Sequence, residues 1–376
     1  MKFDFLIVGT GFYGSVLAER ISNVLKKNVL IIDKRSHIGG NCFSDICDKT
    51  NVEYHKYGTH IFHTSNKKVM DYISQFMKLN NYRHQVLTKH KNQVYQMPIN
   101  LETINTFFNK NFSPTEAKNF IKKLTQKDKI FYPKNFEDKA ISVIGKKLYE
   151  AFIKNYTLKQ WNIDPKKLPA STFNRLPVRF NYNENYFNNC NFQGIPENGY
   201  TEVFKKLLDS KKIKIKLNCD YFKNSQNLNP KYATIFTGPI DRFFNYKFGK
   251  LGWRSLHFKH KIKAVPDYQG TAVMNYADLT QKYTRIHEPL HLHPERKLNS
   301  SSTLIIEEYP LQNNEEPYYP INDIESKSAL KKYKKLAKNI PNIIFGGRLA
   351  DYAYYDMDMT ISAALQKFEK LKRLTK

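Results

Sequence analysis

The sequence has little that would staple a fold, hold zinc or cross a membrane. Its four cysteines, Cys42, Cys47, Cys190 and Cys219, are widely spaced and include no C-x-x-C pair. Neither a disulfide framework nor a zinc knuckle follows from that spacing, and a reducing compartment fits it. No apolar run approaches the roughly 18 residues that a transmembrane helix needs. The apolar opening FLIV leads straight into a glycine-rich turn instead of a cleavage site, so a cytoplasmic protein without membrane insertion is expected. A Ser-His-Asp triad and an isolated carboxylate pair are also missing, which leaves a hydrolase without a nucleophile. Arginine-rich blocks are absent too. The 61 Lys and Arg exceed the 34 Asp and Glu, giving a formal charge of +27, yet the lysines are scattered as pairs such as Lys146 with Lys147 and Lys211 with Lys212. Such scatter describes a solvated surface and not a nucleic-acid groove. A positive field of this kind favours anionic small molecules as partners.

What is present begins with a βαβ opening. Residues 3–8 (FDFLIV) form a short buried strand, residues 12–26 carry Val16, Leu17, Ile21, Val24 and Leu25 at helical spacing, and residues 28–33 (NVLIID) form a second strand. GTGFYG places Gly9, Gly11 and Gly14 between the first strand and the helix, and Asp33 ends the second strand. In that order the glycines let backbone approach a pyrophosphate at a helix N-terminus, and the acid can accept from ribose hydroxyls. Three further glycine turns follow: RSHIGGN with Gly39, Gly40 and Asn41, IFTGP with Gly238, and IFGGR with Gly347 and Arg348. Several glycine-ended strands converging on one nucleotide suit FAD better than NAD, although each alone also reads as an ordinary turn.

At 376 residues the chain predicts two or three domains. The pattern between about 101 and 160 is helical, with SPTE at Ser113–Glu116 matching a capping box and Pro at the first helical position. From about 170 to 320 short aromatic and β-branched runs recur between Pro, Asn and Gly breaks, as an antiparallel sheet requires, and a terminal helix runs from about Met357 to Leu374. Tyr156, Trp161, Arg175, Tyr186, Arg285, Tyr318, Tyr319, Arg348, Tyr354 and Asp356 stand in motifs rich in arginine and aromatics. Two arginines can neutralise a diphosphate, aromatic faces can stack on a uracil, and tyrosines can donate to phosphate oxygens. Each alone also reads as packing or a surface ion pair. His60 with His63, and His291 with His293, are closely spaced but have no acid or cysteine at a recognised ligand spacing, so no metal is expected.

GTGFYG, RSHIGGN, HKYGTHIFHT, YTLKQW, LPASTFNRLPVRFNYNENYF, GYTEVF, FTGPID, DYQGTAVMNY, YTRI, EPYYP and GRLADYAYYDMD, in order from about residue 3 to about residue 365, resemble the successive blocks of the bacterial UDP-galactopyranose mutases. The resemblance implies an α/β fold: a Rossmann-like FAD-binding domain from 1–80, 211–240 and 335–376, a small helical domain at 101–165, and an antiparallel sheet domain from 81–100, 166–210 and 241–334. It implies that Arg175 and Arg285 hold the substrate diphosphate with Tyr186, Tyr319 and Tyr354, and that Tyr156, helped by Phe152 and Thr157, stacks on the uracil. Trp161 would ride on a mobile lid over the sugar, and His60 and His63 would lie beside the flavin. The implied cofactor contacts are Gly9, Gly11, Phe12, Tyr13, Gly14, Asp33, Lys34, Gly39, Gly40, Asn41, His60, Ile61, Gly238, Gly347, Arg348, Tyr354, Asp356, Met357 and Thr360. The sequence departs from the family pattern at Thr59, Met70 and His84.

By the same resemblance, reduced flavin attacks the anomeric carbon, UDP leaves, the sugar adduct opens, and the ring recloses through another hydroxyl before UDP returns. The implied activity is interconversion of UDP-galactopyranose and UDP-galactofuranose, with the N-acetylgalactosamine analogue left open, to supply surface polysaccharide. A homodimer is the implied assembly. Two rival readings are a flavin-dependent amine oxidase or desaturase, which would need an apolar channel, and a basic nucleic-acid-binding protein, which would show steep salt dependence.

Overall fold

The computed structural model describes residues 2–175, 177–188, 190–298, 300–311 and 316–374, with the side chains of Asn174, Arg175 and Leu374 outside that description. Five short strands, Ile343–Phe345, Ala233–Phe236, Phe5–Val8, Val29–Ile32 and Ile213–Lys216, lie side by side in that order, every pairing parallel. FLIV and VLII are almost wholly buried, as strands covered on both faces must be. The helix Phe12–Asn23 follows the first strand directly, as the βαβ pattern predicts. It shares one core with the terminal helix Met357–Leu374 through Val16, Leu17, Ile21, Ile361, Ala364 and Phe368.

The stretch expected to feed an antiparallel sheet from about residue 170 divides differently. Phe192–Gly194 pairs with Phe62–Thr64 as a separate ribbon. Helix Gly199–Leu207 then sinks Tyr200, Val203, Phe204 and Leu207 into the core around the first helix. Aromatics at helical spacing drive that docking, so 199–207 packs with the parallel-sheet layer and not with the sheet to which 166–210 was assigned.

The second sheet has seven strands in the order Tyr319–Pro320, Trp253–Lys263, Thr303–Leu311, Arg285–His287, Val273–Tyr276, Val86–His90 and Gln93–Met97. Its pairings are antiparallel except that of Val273–Tyr276 with Val86–His90, which is parallel because the hairpin at 86–97 joins from an earlier part of the chain. The helical middle contains Leu101–Phe108, Pro114–Lys127 and Phe136–Ile144. The capping box forms as expected: Ser113 accepts from the Glu116 N–H, and the Glu116 carboxylate accepts from the Ser113 N–H at 2.8 Å. A π-helical segment, Tyr149–Lys154, runs into helix Asn155–Trp161. Such widened turns recur at functional sites, and this one carries Phe152. Among the described residues no helix is long and apolar enough to cross a membrane.

Candidate active site

One cavity of about 1110 Å³ runs from the ends of the parallel strands to the face of the mixed sheet. Its first end is backbone. Gly14 packs so closely on the turn that a Cβ would collide with the Gly9 carbonyl. Gly11 is different: its φ of −69° suits any residue, and the nearest atom to a Cβ there is the Gly40 Cα at 4.0 Å. Nothing in the fold requires glycine at 11, whereas a ligand lying on the turn would. The first helix starts there without a side-chain cap, and Gly11, Phe12, Tyr13 and Gly14 all line the cavity. These observations fit a dinucleotide phosphate on the helix N-terminus.

Asp33 is already busy. Its Oδ2 accepts from the Thr10 N–H at 2.9 Å and the Thr10 hydroxyl at 2.7 Å, and its Oδ1 accepts from the Arg35 N–H at 3.0 Å. A carboxylate has about four lone-pair positions, so one remains for a ribose hydroxyl. Gly39, Gly40, Asn41, Lys34, Gly238, Gly347, Arg348, Asp356, Met357 and Thr360 line the same end. Tyr13 packs on Gly346 and Gly347, which ties the first helix to the last strand. Arg348 donates to the carbonyl of Tyr318 and so clips the terminal segment to the mixed sheet.

The far end is built from side chains. Register places Arg285 opposite Glu308, and the Arg285 Nε stands 3.4 Å from the Glu308 Oε1. Arg285 also donates to the Tyr156 hydroxyl. Burial works against the charge on Arg285, but Glu308 and the surrounding tyrosines outweigh it and raise its pKa. Burial alone would raise the Glu308 carboxyl as well; the Arg285 charge and the His287 hydrogen bond hold it below its usual value. His287 donates from Nε2 to Glu308 at 3.0 Å, which leaves Nδ1 to accept from the Thr59 hydroxyl at 2.7 Å. The result is a chain from partly buried Thr59 through buried His287 and Glu308 to half-buried Arg285 and Tyr156. Burial pushes the Tyr156 hydroxyl up to about 12 despite the arginine, so the phenol keeps its proton.

Three further histidines of this end line the cavity beside His287. Burial lowers His60 to about 4, and its Nδ1 lies 2.6 Å from the Gly58 carbonyl, so Nδ1 holds the proton and Nε2 is an acceptor. Burial and then the Arg285 charge lower His84 to about 3. His63 stacks on Phe187 with ring centroids 3.8 Å apart. Tyr319 stacks on Tyr354 at 5.7 Å, and Ile61, Phe152, Thr157 and Tyr186 complete this end.

One predicted residue stands apart from that assembly. Trp161, expected over the sugar, ends its helix packed against the helical core and is not among the cavity-lining residues. The side chain of Arg175 lies outside the described residues. Sequence reading also missed Thr59 as a partner of His287, and Glu308 entirely, because strand register and not local spacing joins them. The histidine pairs bring another correction. His291 lies 3.1 Å from Asp267, 24 positions away in the chain, and 3.6 Å from Glu288, three positions before it, acids that could share one ion with it. Both Glu288 oxygens accept backbone N–H groups of Tyr268 and Gln269, so the cluster locks a loop.

A family model described as UDP-galactopyranose mutase matches residues 151–354, and one described as NAD(P)-binding Rossmann-like domain matches residues 7–76. A probable UDP-galactopyranose mutase of Klebsiella pneumoniae is 43% identical over 366 residues, covering 96% of this chain and 93% of that one. The chain belongs to the UDP-galactopyranose mutase family. Within reach of it lies a dTDP-fucopyranose mutase of Escherichia coli, 38% identical with 96% of each chain covered. Among solved structures, that of a reduced UDP-galactopyranose mutase superposes with a TM-score of 0.75 at 14% identity, over 99% of this chain and 96% of that one. A putrescine oxidase superposes with a TM-score of 0.55 at 11% identity over 99% of both chains. The chain thus shares its architecture with an amine oxidase, and the full-length relatives place it with the mutases.

Proposed function

We propose that this chain interconverts the pyranose and furanose forms of UDP-galactose with FAD as cofactor. The observation that carries the reading is the continuity of one cavity from the glycine cradle to the cluster of Arg285, Tyr156 and buried Glu308. When bound in reduced form, FAD supplies the nucleophile that the protein lacks. The chain's own residues do the rest. Arg285, joined by Arg175, neutralises the diphosphate as it departs, and Glu308 holds the guanidinium in place. Tyr156, with Phe152 and Thr157, forms the uracil platform on helix Asn155–Trp161 and the π-helical segment before it. Tyr186, Tyr319 and Tyr354 offer hydroxyls to the phosphates. His60 and His63 flank the cofactor ring, and His60, held neutral, presents an acceptor. The outward-facing charge excess draws the anionic substrate in.

We place the enzyme in the cytoplasm as a homodimer that supplies galactofuranose for surface polysaccharide. Trp161 belongs to a lid segment that closes on substrate in this reading. The identity of the sugar is tested by incubating dithionite-reduced protein with UDP-galactose, UDP-N-acetylgalactosamine and dTDP-fucose and separating the products. A furanose product from UDP-galactose is expected. Conversion of the dTDP sugar alone would move the chain to the other specificity in its family.

A further inference from the structure

The helix that carries Tyr156 and Thr157 holds a lysine whose ammonium is enclosed by backbone. Lys159 Nζ lies 2.6 Å from the Tyr276 carbonyl oxygen, 2.8 Å from that of Asp278, 3.1 Å from that of Gln281 and 3.0 Å from that of Tyr283. An ammonium has three protons, so four carbonyls around it describe a cation cage more than a set of paired hydrogen bonds. The loop forming the cage, residues 276–283, leaves strand Val273–Tyr276 and returns into strand Arg285–His287. It therefore delivers Arg285. The carbonyls of Asp278, Gln281 and Tyr283 belong to no strand, and a bare loop of this kind would splay to reach water. A second tie holds the same loop, since the Asp278 carboxylate meets His90 Nδ1 at 2.7 Å and the Lys91 N–H at 2.6 Å. Neither Lys159 nor residues 276–284 line the cavity.

We infer that Lys159 is a positioning residue: its ammonium, caged by the 276–283 carbonyls, locks the helix bearing Tyr156 to the strand bearing Arg285, so that the base platform and the diphosphate clamp hold one spacing. This rests on the functional reading above. A few tenths of an ångström matter there, because Arg285 donates directly to the Tyr156 hydroxyl across the same joint. Removing the charge leaves four carbonyls pointing into one hole, and the loop must open to rehydrate them.

The test uses flavin-loaded full-length protein and UDP as the probe. Lys159→Ala removes the atoms of propylammonium and leaves a hole that this cation fits. UDP affinity is expected to fall about tenfold or more, the effect of one charge-assisted contact's worth of positioning, with kcat for the chemical step less affected than KM. Propylammonium should restore affinity, and tetramethylammonium at the same ionic strength should not. Unchanged affinity in Lys159→Ala, or a loss that propylammonium fails to mend while flavin stays bound, overturns the inference. A second measurement needs no variant. In wild-type protein UDP should slow amide exchange in 277–283 together with 155–161, although the loop touches no part of the cavity; protection of the helix alone overturns the coupling. A wild type that binds no UDP would instead defeat the functional reading, whereas UDP binding beside an indifferent Lys159→Ala defeats the cage alone.

Discussion

The two ends of the cavity are made in opposite ways. The cofactor end is backbone set by local sequence: glycines at fixed offsets, a helix start, and an acid at the end of the next strand. The far end is side chains brought together by strand register and by helix docking, with Arg285, Glu308, His287, Thr59 and Tyr156 drawn from four separate segments. A backbone site tolerates change at its side chains but none at its glycines. A side-chain site should fail in graded steps, one partner at a time. Mutations that break the two ends therefore ought to look different.

The largest effect is expected at Gly11. Valine there suits the backbone φ of −69° and meets no protein atom closer than the Gly40 Cα at 4.0 Å from its Cβ. Gly11→Val should then fold normally by circular dichroism yet purify colourless and inactive. A folded, fully yellow variant would remove Gly11 from the cradle.

Next comes the clamp. Arg285→Ala, assayed at matched flavin content, should lower kcat/KM on the order of a hundredfold, the share of about 3 kcal/mol expected for a charge-assisted contact realised in the transition state. Lysine should rescue poorly, since an ammonium cannot reproduce the planar fork. Rates near wild type in the alanine variant would place the diphosphate elsewhere. Arg175→Ala is the companion experiment for the second arginine.

Glu308→Gln sharpens the comparison further. It keeps the shape but removes the charge that steadies Arg285 and receives His287. We expect a fall of about tenfold in kcat/KM, roughly 1.4 kcal/mol, with flavin content untouched. Loss of flavin in this variant would show that the two ends are not separable.

The smallest effect is on acid stability. His84 is buried and neutral, its pKa lowered to about 3, while the unfolded chain would take up a proton near the ordinary value of 6.5. The unfolded state thus binds more protons below that point, so stability is full above about 6.5 and falls as pH drops toward the native value. The slope is on the order of 1 kcal/mol per pH unit for one such histidine. Denaturant midpoints at pH 7 and 5 should differ accordingly, and His84→Asn should reduce the difference by one histidine's share, His60 keeping its own.

The same contrast explains what could be read in the chain. Gly9, Gly11, Gly14 and Asp33 were legible because each acts within one βαβ unit, where spacing along the sequence is spacing in space. Arg285, Tyr156 and Tyr319 were legible only through resemblance in their motifs, and Glu308 was invisible because its position opposite Arg285 depends on register across two strands. Residues 199–207 were misplaced for a related reason: aromatics that suit a sheet also suit the apolar face of a short helix, and docking on the first helix decided between them. Trp161 packs its ring on the helical core and does not line the cavity, so a place over the sugar depends on the lid closure proposed above.

The central claim is that both ends serve one isomerisation in which no electrons are consumed. The direct measurement is an anaerobic titration that counts furanose formed per reducing equivalent supplied to the protein. Many product molecules per equivalent, and none from oxidised protein, is the predicted result; one equivalent spent per turnover, or equal conversion by oxidised protein, would contradict it.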